Sequence, residues 1–228
     1  MCMPKYGSKK GSKPNMRFRL KKVSSKLARI KYSLLDSRFD VSGTSLKVVN
    51  SHLGRRLVNE VENISKQKGD HVVMDWGCDN GKALIELAKK FPKVNFVGFS
   101  RDSHSAWENA PHNVSFLHTN TQAIEKLANK PNIKGRVGVM YSHYGLHHLS
   151  KKGGQVFVDH VTKLSVGLKR GGKIILRPGE FHGATKFPNP DAEKPLIKQL
   201  EKTFDVVMAE SVFRNGKTYN TVVELVKK

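Results

Sequence analysis

The sequence contains little cysteine, few acidic residues and no long apolar run. Its two cysteines, Cys2 and Cys78, lie in unrelated contexts without a CxxC spacing, so neither a disulfide framework nor a zinc site is indicated and a reducing compartment is favoured. The longest apolar runs, such as KIIL and VFV, are much shorter than the roughly 18 residues of a membrane span. No apolar block follows the basic start, as it would in a secretory signal. We therefore expect a soluble, cytoplasmic protein with no membrane partner and no bound metal.

The scarcity of acids leaves a large positive charge. The chain has 41 Lys and Arg against 19 Asp and Glu, a formal net charge of +22, and Met1–Lys31 contains eleven Lys or Arg and no acid. Such a block gains too little from burial to offset its ordering entropy, and it releases counterions on contact with phosphate. We predict a basic arm over residues 1–41 that contacts a polyanion, with RNA favoured as the usual partner of small basic enzymes. A solubility tail and an organellar transit peptide remain alternative interpretations.

From Ser42 onward the composition is that of a folded domain, which we place at residues 42–228. A chain of this length can form one domain that buries roughly 70% of its unfolded surface. Its first segment carries apolar residues at steps of three and four, which predicts one packing helix. The residues of this stripe are Leu46, Val49, Leu53, Leu57, Val61 and Ile64.

Strands and helices then alternate along the chain. Apolar runs predict strands at residues 71–75, 94–99, 113–118, 136–142 and 173–178, and helical spacing predicts helices at 82–91, 123–130, 156–168 and 196–200. This alternation predicts a parallel sheet with helices on both faces. The segment from Phe204 to Val226 predicts two strands joined at Asn215-Gly216, a dipeptide typical of tight hairpins. We therefore expect a three-layer α/β sandwich with a mostly parallel seven-stranded sheet and an antiparallel C-terminal hairpin strand.

The segment VVMDWGCDNG, residues 72–81, places a glycine turn after the first strand. In open parallel sheets, ligands bind beyond the carboxyl ends of the strands. Gly77 and Gly81 allow a sharp turn that brings backbone close to a ligand before a helix begins. The spacing is D-x-G-x-x-x-G; the third glycine is missing, and the second strand ends in Ser100 where an acid is usual. A nicotinamide-dependent oxidoreductase is therefore disfavoured.

Three segments in order resemble motifs of the class I S-adenosylmethionine-dependent methyltransferases. VVMDWGCDNG resembles the first motif, a strand followed by D/E-x-G-x-G-x-G; MYSHYGLHHLS resembles the fourth-strand segment; and LKRGGKIILRPGE resembles the turn and fifth strand, usually L-K-P-G-G followed by an apolar residue. The matches extend over roughly residues 72–226. The resemblance implies a Rossmann-like methyltransferase domain with S-adenosyl-L-methionine as its cofactor.

The resemblance also implies the residues that hold this cofactor. Gly77 and Gly81 would pass beside its methionine and ribose parts, and Asp75 would reach its amine through water. Departures from the usual pattern are Asp79 in place of glycine, Ser100 in place of the ribose-binding acid, and Asn120 in place of the adenine-binding acid. The full predicted set is Asp75, Gly77, Cys78, Asp79, Gly81, Ser100, Arg101, Asn120, Thr121 and Ser142.

The catalytic candidates follow the fourth strand. Ser142, His143 and Tyr144 lie where this strand would open over the transferred methyl group, so His143 or Tyr144 could orient or deprotonate an acceptor. The alternative is that the histidine only shapes or caps the turn. No cysteine is placed for pyrimidine C5 chemistry, and the consecutive prolines typical of adenine amine methylation are missing.

These observations predict an S-adenosylmethionine-dependent methyltransferase that acts on RNA. Two alternatives remain open. One is a nucleic-acid-binding or assembly protein on a methyltransferase scaffold that no longer turns over, and the other is a methyltransferase of small molecules or proteins. The loop Arg177–Pro195 could read substrate through its aromatics or serve only as a surface loop.

Overall fold

A computed structural model describes residues 44–143, 145–146, 154–176, 190–213 and 217–228. The strands in these ranges are β1 Val72–Trp76, β2 Asn95–Ser100, β3 Val114–His118, β4 Val137–Ser142, β5 Leu168–Leu176, β6 Phe204–Phe213 and β7 Lys217–Lys227. The helices are α1 Leu46–His52, α2 Arg56–Ser65, α3 Lys82–Lys90, α4 Thr121–Ala128, α5 Gly154–Leu164 and α6 Pro190–Leu200. The predicted arm, residues 1–41, lies outside the described residues.

The strands form one sheet in the order β3-β2-β1-β4-β5-β7-β6. Strands β1 to β5 run parallel to one another, while β7 is antiparallel to both β5 and β6. β1 lies in the interior of the sheet and all five of its residues are buried. The predicted mostly parallel sheet with an antiparallel C-terminal hairpin strand is therefore confirmed.

Helices cover both faces of the sheet, and each face has its own apolar core. Alternating β1 residues divide between the cores: Met74 packs toward α4, α5 and α6, whereas Val73 packs toward α1, α2 and α3. The two-residue period of a strand explains this division, since successive side chains point to opposite faces. No helix in the described ranges combines the length and the apolar character that crossing a membrane requires.

The predicted single helix over residues 46–64 is wrong in one respect, because it is two helices. α1 ends at His52, and Gly54 and Arg55 both take left-handed backbone angles, with φ of 62° and 61°. The Asn50 side chain then accepts a hydrogen bond from the Val58 amide at 3.1 Å, which fastens the start of α2 to α1. The apolar stripe keeps its spacing through the break, so periodicity alone could not reveal it.

The boundary before β5 also differs from the prediction. The helix predicted over residues 156–168 ends at Leu164, and Leu168 instead begins β5. Leu168 pairs with Val137 on β4, which gives its apolar side chain a strand position in the core. A 3₁₀ segment, Ser105–Asn109, is a further element that the sequence did not predict.

An ionic network attaches α2 to the sheet. Arg56 contacts the buried carboxylate of Glu224 on β7 at 2.6 Å, and Lys173 on β5 contacts Glu60 of α2 at 2.6 Å and Glu224 at 3.8 Å. A buried carboxylate is costly unless it is paired, so these cations stabilise Glu224 where it is. The network and the apolar stripe together hold the N-terminal helices against one face of the sheet.

Candidate active site

The candidate site lies at the carboxyl ends of β1 and β4. From β1 the chain leads to β2 on one side of the sheet, while the neighbour on its other side is β4. Where connections diverge in this way, the strand ends leave a crevice that can hold a ligand. The glycine turn after β1 and the described residues 143, 145 and 146 after β4 both lie at these strand ends.

The turn after β1 is tied to β2 and packed against the segment after β4. The amides of Gly77 and Cys78 both donate to the carbonyl oxygen of Phe99, at 3.0 and 2.8 Å. Gly77 has φ of 90°, and a Cβ placed on it would lie 2.6 Å from the Cα of Gly145. Both the backbone angle and the close backbone approach therefore require glycine at this position.

Gly81 is required for a different reason. It also has a positive φ, 78°, but a Cβ there would lie 2.3 Å from the ring of Phe116 on β3. The same ring and the Cys78 sulfur crowd Gly98 on β2. The glycines around the turn thus make room for an aromatic side chain of the protein itself, and Cys78 is buried beside it.

Asp75 is a buried acid with an unsatisfied oxygen. Its Oδ1 has no hydrogen-bond partner among the described residues, and neither has the Tyr141 hydroxyl on the neighbouring strand. Burial raises the pKa of Asp75 to about 7; the nearby Tyr141 hydroxyl offsets this in part, and the charge of Asp79 adds to it. Asp75 therefore carries an acceptor or donor that a bound group or water could satisfy.

Asp79 presents an exposed carboxylate at the tip of the turn. Its φ of 50° is the left-handed conformation that aspartate tolerates better than most residues. The carboxylate lies 3.2 Å from the His104 ring and its side chain is 64% exposed. The indole of Trp107 donates to the Asp79 carbonyl oxygen at 3.1 Å and stacks on Phe116. Trp107 thus holds the 3₁₀ segment against the turn, and the Asp79 carboxylate remains accessible to solvent.

The predicted adenosine-binding residues follow β2 and β3, which pair side by side. The Ser100 hydroxyl accepts from the Asp102 amide at 3.3 Å, and Arg101 lies on the surface 3.7 Å from the Asp102 carboxylate. Asn120 caps α4 by accepting from the Ala123 amide at 3.0 Å. Thr121 begins α4, but its side chain lies outside the described ones.

Ser142 joins the two strand ends. Its buried hydroxyl donates to the carbonyl oxygen of Trp76 at 3.0 Å and accepts from the amide of Leu146 at 3.1 Å. These bonds hold the segment after β4 against the end of β1. Tyr144 lies outside the described residues.

His143 meets a partner from the N-terminal helix that sequence reasoning did not identify. Its Nε2 lies 2.8 Å from Nδ1 of His52, the last residue of α1, and the two rings are stacked. One imidazole donates and the other accepts, so the pair shares a proton at this contact. No local pattern could have linked residues 91 positions apart.

A buried chain of polar groups lies behind Trp76. The indole donates to Nε2 of His160 at 3.1 Å, and Nδ1 of His160 donates to Glu125 at 2.8 Å. Burial lowers the pKa of His160, which keeps the ring neutral. Burial would raise the pKa of Glu125, but its bonds from His160 and Lys163 lower it. These hydrogen bonds fix the orientation of Trp76, the residue that precedes Gly77.

Comparison with known proteins gives two partial sequence relatives, and no protein-family model matches. A tRNA (guanine-N(7)-)-methyltransferase of Porphyromonas gingivalis is 28% identical over 120 residues, 47% of this chain and 46% of that protein. The enzyme of the same name from Christiangramia forsetii is 38% identical over 66 residues, 25% of this chain and 30% of that protein. The chain spans less than half the length of the curated relatives it matches.

Solved structures agree with the fold at low sequence identity. The methyltransferase domain of bacterial CtHen1-CN has a TM-score of 0.53 at 14% identity, over 78% of this chain and 98% of that one. Magnesium protoporphyrin IX methyltransferase of Synechocystis PCC 6803, with bound SAM, has a TM-score of 0.51 at 14% identity, over 90% and 99%. A probable spermidine synthase of Corynebacterium glutamicum also reaches 0.51, at 13% identity, over 77% and 63%. At this identity the likeness establishes the fold alone.

Proposed function

We propose that this chain, which has the Rossmann-like fold of the class I S-adenosylmethionine-dependent methyltransferases, is a methyltransferase of that kind and acts on RNA. The observation that carries the proposal is the junction of Gly77 with Gly145. It joins the turn after β1 to the segment after β4 at the point where the sheet connections diverge. The two partial relatives named as tRNA methyltransferases, together with the basic composition of the chain, favour RNA as the acceptor.

The residues around the turn suit a cationic cofactor. S-adenosylmethionine supplies, when bound, a methyl group activated by a sulfonium, and it also carries an ammonium. The exposed carboxylate of Asp79 provides the opposite charge, and the unsatisfied Oδ1 of Asp75 can accept a bond through water. Charge complementarity of this kind compensates for the less usual residues at positions 100 and 120.

Ser100 and Asn120 retain hydrogen-bonding capacity toward the adenosine part. Ser100 accepts from a backbone amide, and its O–H can still donate. Asn120 uses one lone pair of its oxygen for the helix cap, so the second lone pair and the NH₂ group can contact an adenine. We assign Ser100 and Asn120 to contacts with the nucleoside. Both side chains are neutral, whereas the usual residues at these positions are acids.

The chemistry of the acceptor decides what His143 does. Guanine N7, the acceptor atom in the relatives' names, is a hydrogen-bond acceptor with a free lone pair. Such a nucleophile loses no proton on attack, and the barrier is lowered mainly by positioning it in line with the methyl group. In this proposal the His52–His143 pair orients the acceptor and is not a general base.

Calorimetry with S-adenosylmethionine and S-adenosylhomocysteine is the first test. We expect both to bind, and we expect Asp79→Asn to weaken the cationic ligand more than the neutral thioether. His112→Ala, at an exposed histidine away from the turn, serves as the control. If neither ligand binds at millimolar concentration, the enzyme proposal is wrong and a nucleic-acid-binding scaffold remains.

Methyl transfer is tested separately, with radiolabelled cofactor. The acceptors are a tRNA transcript, the same transcript with 7-deazaguanine in place of guanine, and a pool of proteins and small metabolites. We expect label in the first transcript only. Label in the deaza transcript would exclude N7, and label only in the pool would favour the alternative of a small-molecule or protein methyltransferase.

A further inference from the structure

A turn that bulges out near the amino end of β5 carries two cations. Val137 on β4 pairs with Leu168 and Val139 pairs with Lys173, so residues 169–172 bulge out of the sheet. Gly171 has φ of 70°, and a Cβ on Gly172 would lie 2.8 Å from two backbone carbonyl oxygens. The glycines thus permit a tight turn that carries the exposed Arg170 and the half-buried Lys169, whose ammonium donates to the side-chain oxygen of Gln67. Arg170 occupies the position where the L-K-P-G-G pattern has proline.

Three more cations surround this turn. Lys134 and Arg136 precede β4, and Lys227 ends β7. The Lys227 ammonium donates to the carbonyl oxygen of Leu168 at 2.7 Å, which joins the end of β7 to the base of the turn. We call these five side chains the amino-end patch. Its members are Lys134, Arg136, Lys169, Arg170 and Lys227.

The charges of the amino-end patch are not neutralised within the described part of the chain. There, no carboxylate lies within 4.0 Å of any of the five, whereas nearby Lys66 and Lys228 do pair with acids. Burial lowers the pKa of Lys169, and burial together with the charge of Lys134 lowers that of Lys227. Lys134 and Lys227 lie close enough for their charges to repel, and an anion bound beside them would remove that cost.

Helix dipoles do not explain this concentration of charge. Cations in the last turn of a helix are stabilised by its negative end, which accounts for Lys89, Lys90, Lys126 and Lys163. The members of the amino-end patch instead lie in the loop before β4, in the bulge of β5 and at the end of β7. Their common feature is that they lie at the same end of neighbouring strands, which points to a ligand at that end of the sheet.

The surroundings of the amino-end patch favour a polyanion over a lipid surface. Among the described residues, the large apolar side chains that are exposed are Val48, Val156 and Val207, and none belongs to the loops that carry the patch. Membrane-surface binding relies on apolar side chains that enter the lipid as well as on charge. Fixed cations without such side chains suit the phosphates of a nucleic acid.

We propose that the amino-end patch binds RNA phosphates at the end of the sheet opposite the candidate active site. The six residues of β4 separate the two ends by roughly 20 Å, so an RNA that touches both must be structured or several nucleotides long. The choice of RNA rests on the proposed function, but binding at the patch requires no methyl transfer. The patch therefore selects for the size and shape of the RNA, beyond the nucleotide that enters the site.

The test compares full-length variants that lose the same charge. Lys134→Gln with Arg170→Gln removes two patch cations, and Lys89→Gln with Lys126→Gln removes two helix-end cations. Fluorescence anisotropy measures the binding of a labelled tRNA transcript across salt concentrations, without cofactor. Because each lost phosphate contact reduces the salt slope by about 0.7 to 0.9, we expect the patch variant to lose about 1.5 in slope. The helix-end variant should keep a salt slope near that of the wild type. The charge-conserving variant, Lys134→Arg with Arg170→Lys, should also keep the wild-type slope.

Two further measurements separate the outcomes. A guanine-containing trinucleotide, too short to reach the patch, should bind the patch variant and the wild type equally. Equal slope loss in both Gln variants, or no loss in either, would overturn the proposal, as would weakened binding to phosphatidylserine vesicles with tRNA binding unchanged. Thermal melts verify that all variants are folded. An enzyme that fails to methylate RNA but shows the patch-specific slope loss contradicts the proposed function and not the patch.

Discussion

Gly77 combines a backbone angle and a close contact that no other residue satisfies. Replacement by alanine strains a φ of 90° and places a Cβ 2.6 Å from the Gly145 backbone, so the turn must move away from β4. We expect Gly77→Ala to lower the free energy of unfolding by about 2–4 kcal/mol. We also expect it to weaken S-adenosylmethionine binding at least about tenfold, a change of about 1.4 kcal/mol. Urea denaturation and calorimetry measure the two effects.

Gly135 provides a matched control for this substitution. Its φ is 69°, but a Cβ there would meet nothing within 4 Å. Gly135→Ala therefore reports the backbone strain alone, at about 1 kcal/mol. Equal effects of the two substitutions on stability and on cofactor binding would show that the contact with Gly145 is unimportant.

Asp75 makes stability depend on pH in a direction unusual for an aspartate. Burial raises its pKa from an ordinary 3.8 to about 7, so the folded state holds a proton that the unfolded chain has released. The free energy of unfolding should therefore fall as pH rises from about 4 to about 7, by an amount on the order of 4 kcal/mol. Asp75→Asn, which cannot ionise, should lack this contribution.

The measurement is the difference in unfolding free energy between Asp75→Asn and the wild type. We expect this difference to grow in favour of the variant between about pH 4 and about pH 7. His160 acts in the opposite sense, since its lowered pKa removes stability as the pH falls, but it is present in both proteins and cancels. A constant difference for Asp75→Asn would mean that its carboxyl is not desolvated.

At the scale of elements, α1 contacts the candidate site through its last residue. His52 ends the helix and lies 2.8 Å from His143 at the end of β4. If the pair orients an acceptor such as guanine N7, His52→Ala and His143→Ala should each raise KM several-fold, with kcat reduced less than about tenfold. The pH-rate profile should keep its shape, because no proton leaves the acceptor. His112→Ala is the control.

Steady-state kinetics of the double variant completes this prediction. Residues that act as a unit give non-additive effects, so His52→Ala with His143→Ala should be little worse than either single variant. A loss of an acidic limb from the pH-rate profile in His143→Ala would contradict the orienting role and identify this histidine as a base.

The elements that the sequence predicted are those whose signal is local. Apolar runs and glycine turns placed β1 to β4 within one or two residues, and the signal is strongest for β1, β2 and β4, because strands buried on both faces are almost continuously apolar. The break after α1 was missed because Leu53 and Leu57 are four apart and both fully buried, so the helical phase survives it. The sequence assigned Leu168 to a helix because it is four residues after Leu164, but Leu168 pairs with Val137 in the sheet.

The candidate site shows the same limit on the scale of the whole molecule. Topology places the carboxyl ends of parallel strands together, so the residues after β1 and β4 could be predicted as neighbours. The partners of these residues could not be predicted, since 91 residues separate His52 from His143 and 84 separate Trp76 from His160. Hydrogen bonds between such distant residues arise from packing, which leaves no spacing in the sequence.

The charge distribution of the whole chain leads to a last prediction. Residues 1–31 carry eleven of the 41 Lys and Arg and no acid, while the α/β domain has its own apolar cores on both faces. Deletion of residues 1–31 should leave the melting temperature nearly unchanged, but it should weaken tRNA binding and make its salt dependence shallower. The slope should fall by more than the roughly 1.5 expected of the amino-end patch variant, because more cations are removed. If the arm and the patch contact the RNA independently, the losses in salt slope caused by the deletion and by the patch substitutions should add. An unchanged slope would show that the arm does not contact phosphate, and the patch and the site would then account for RNA binding alone.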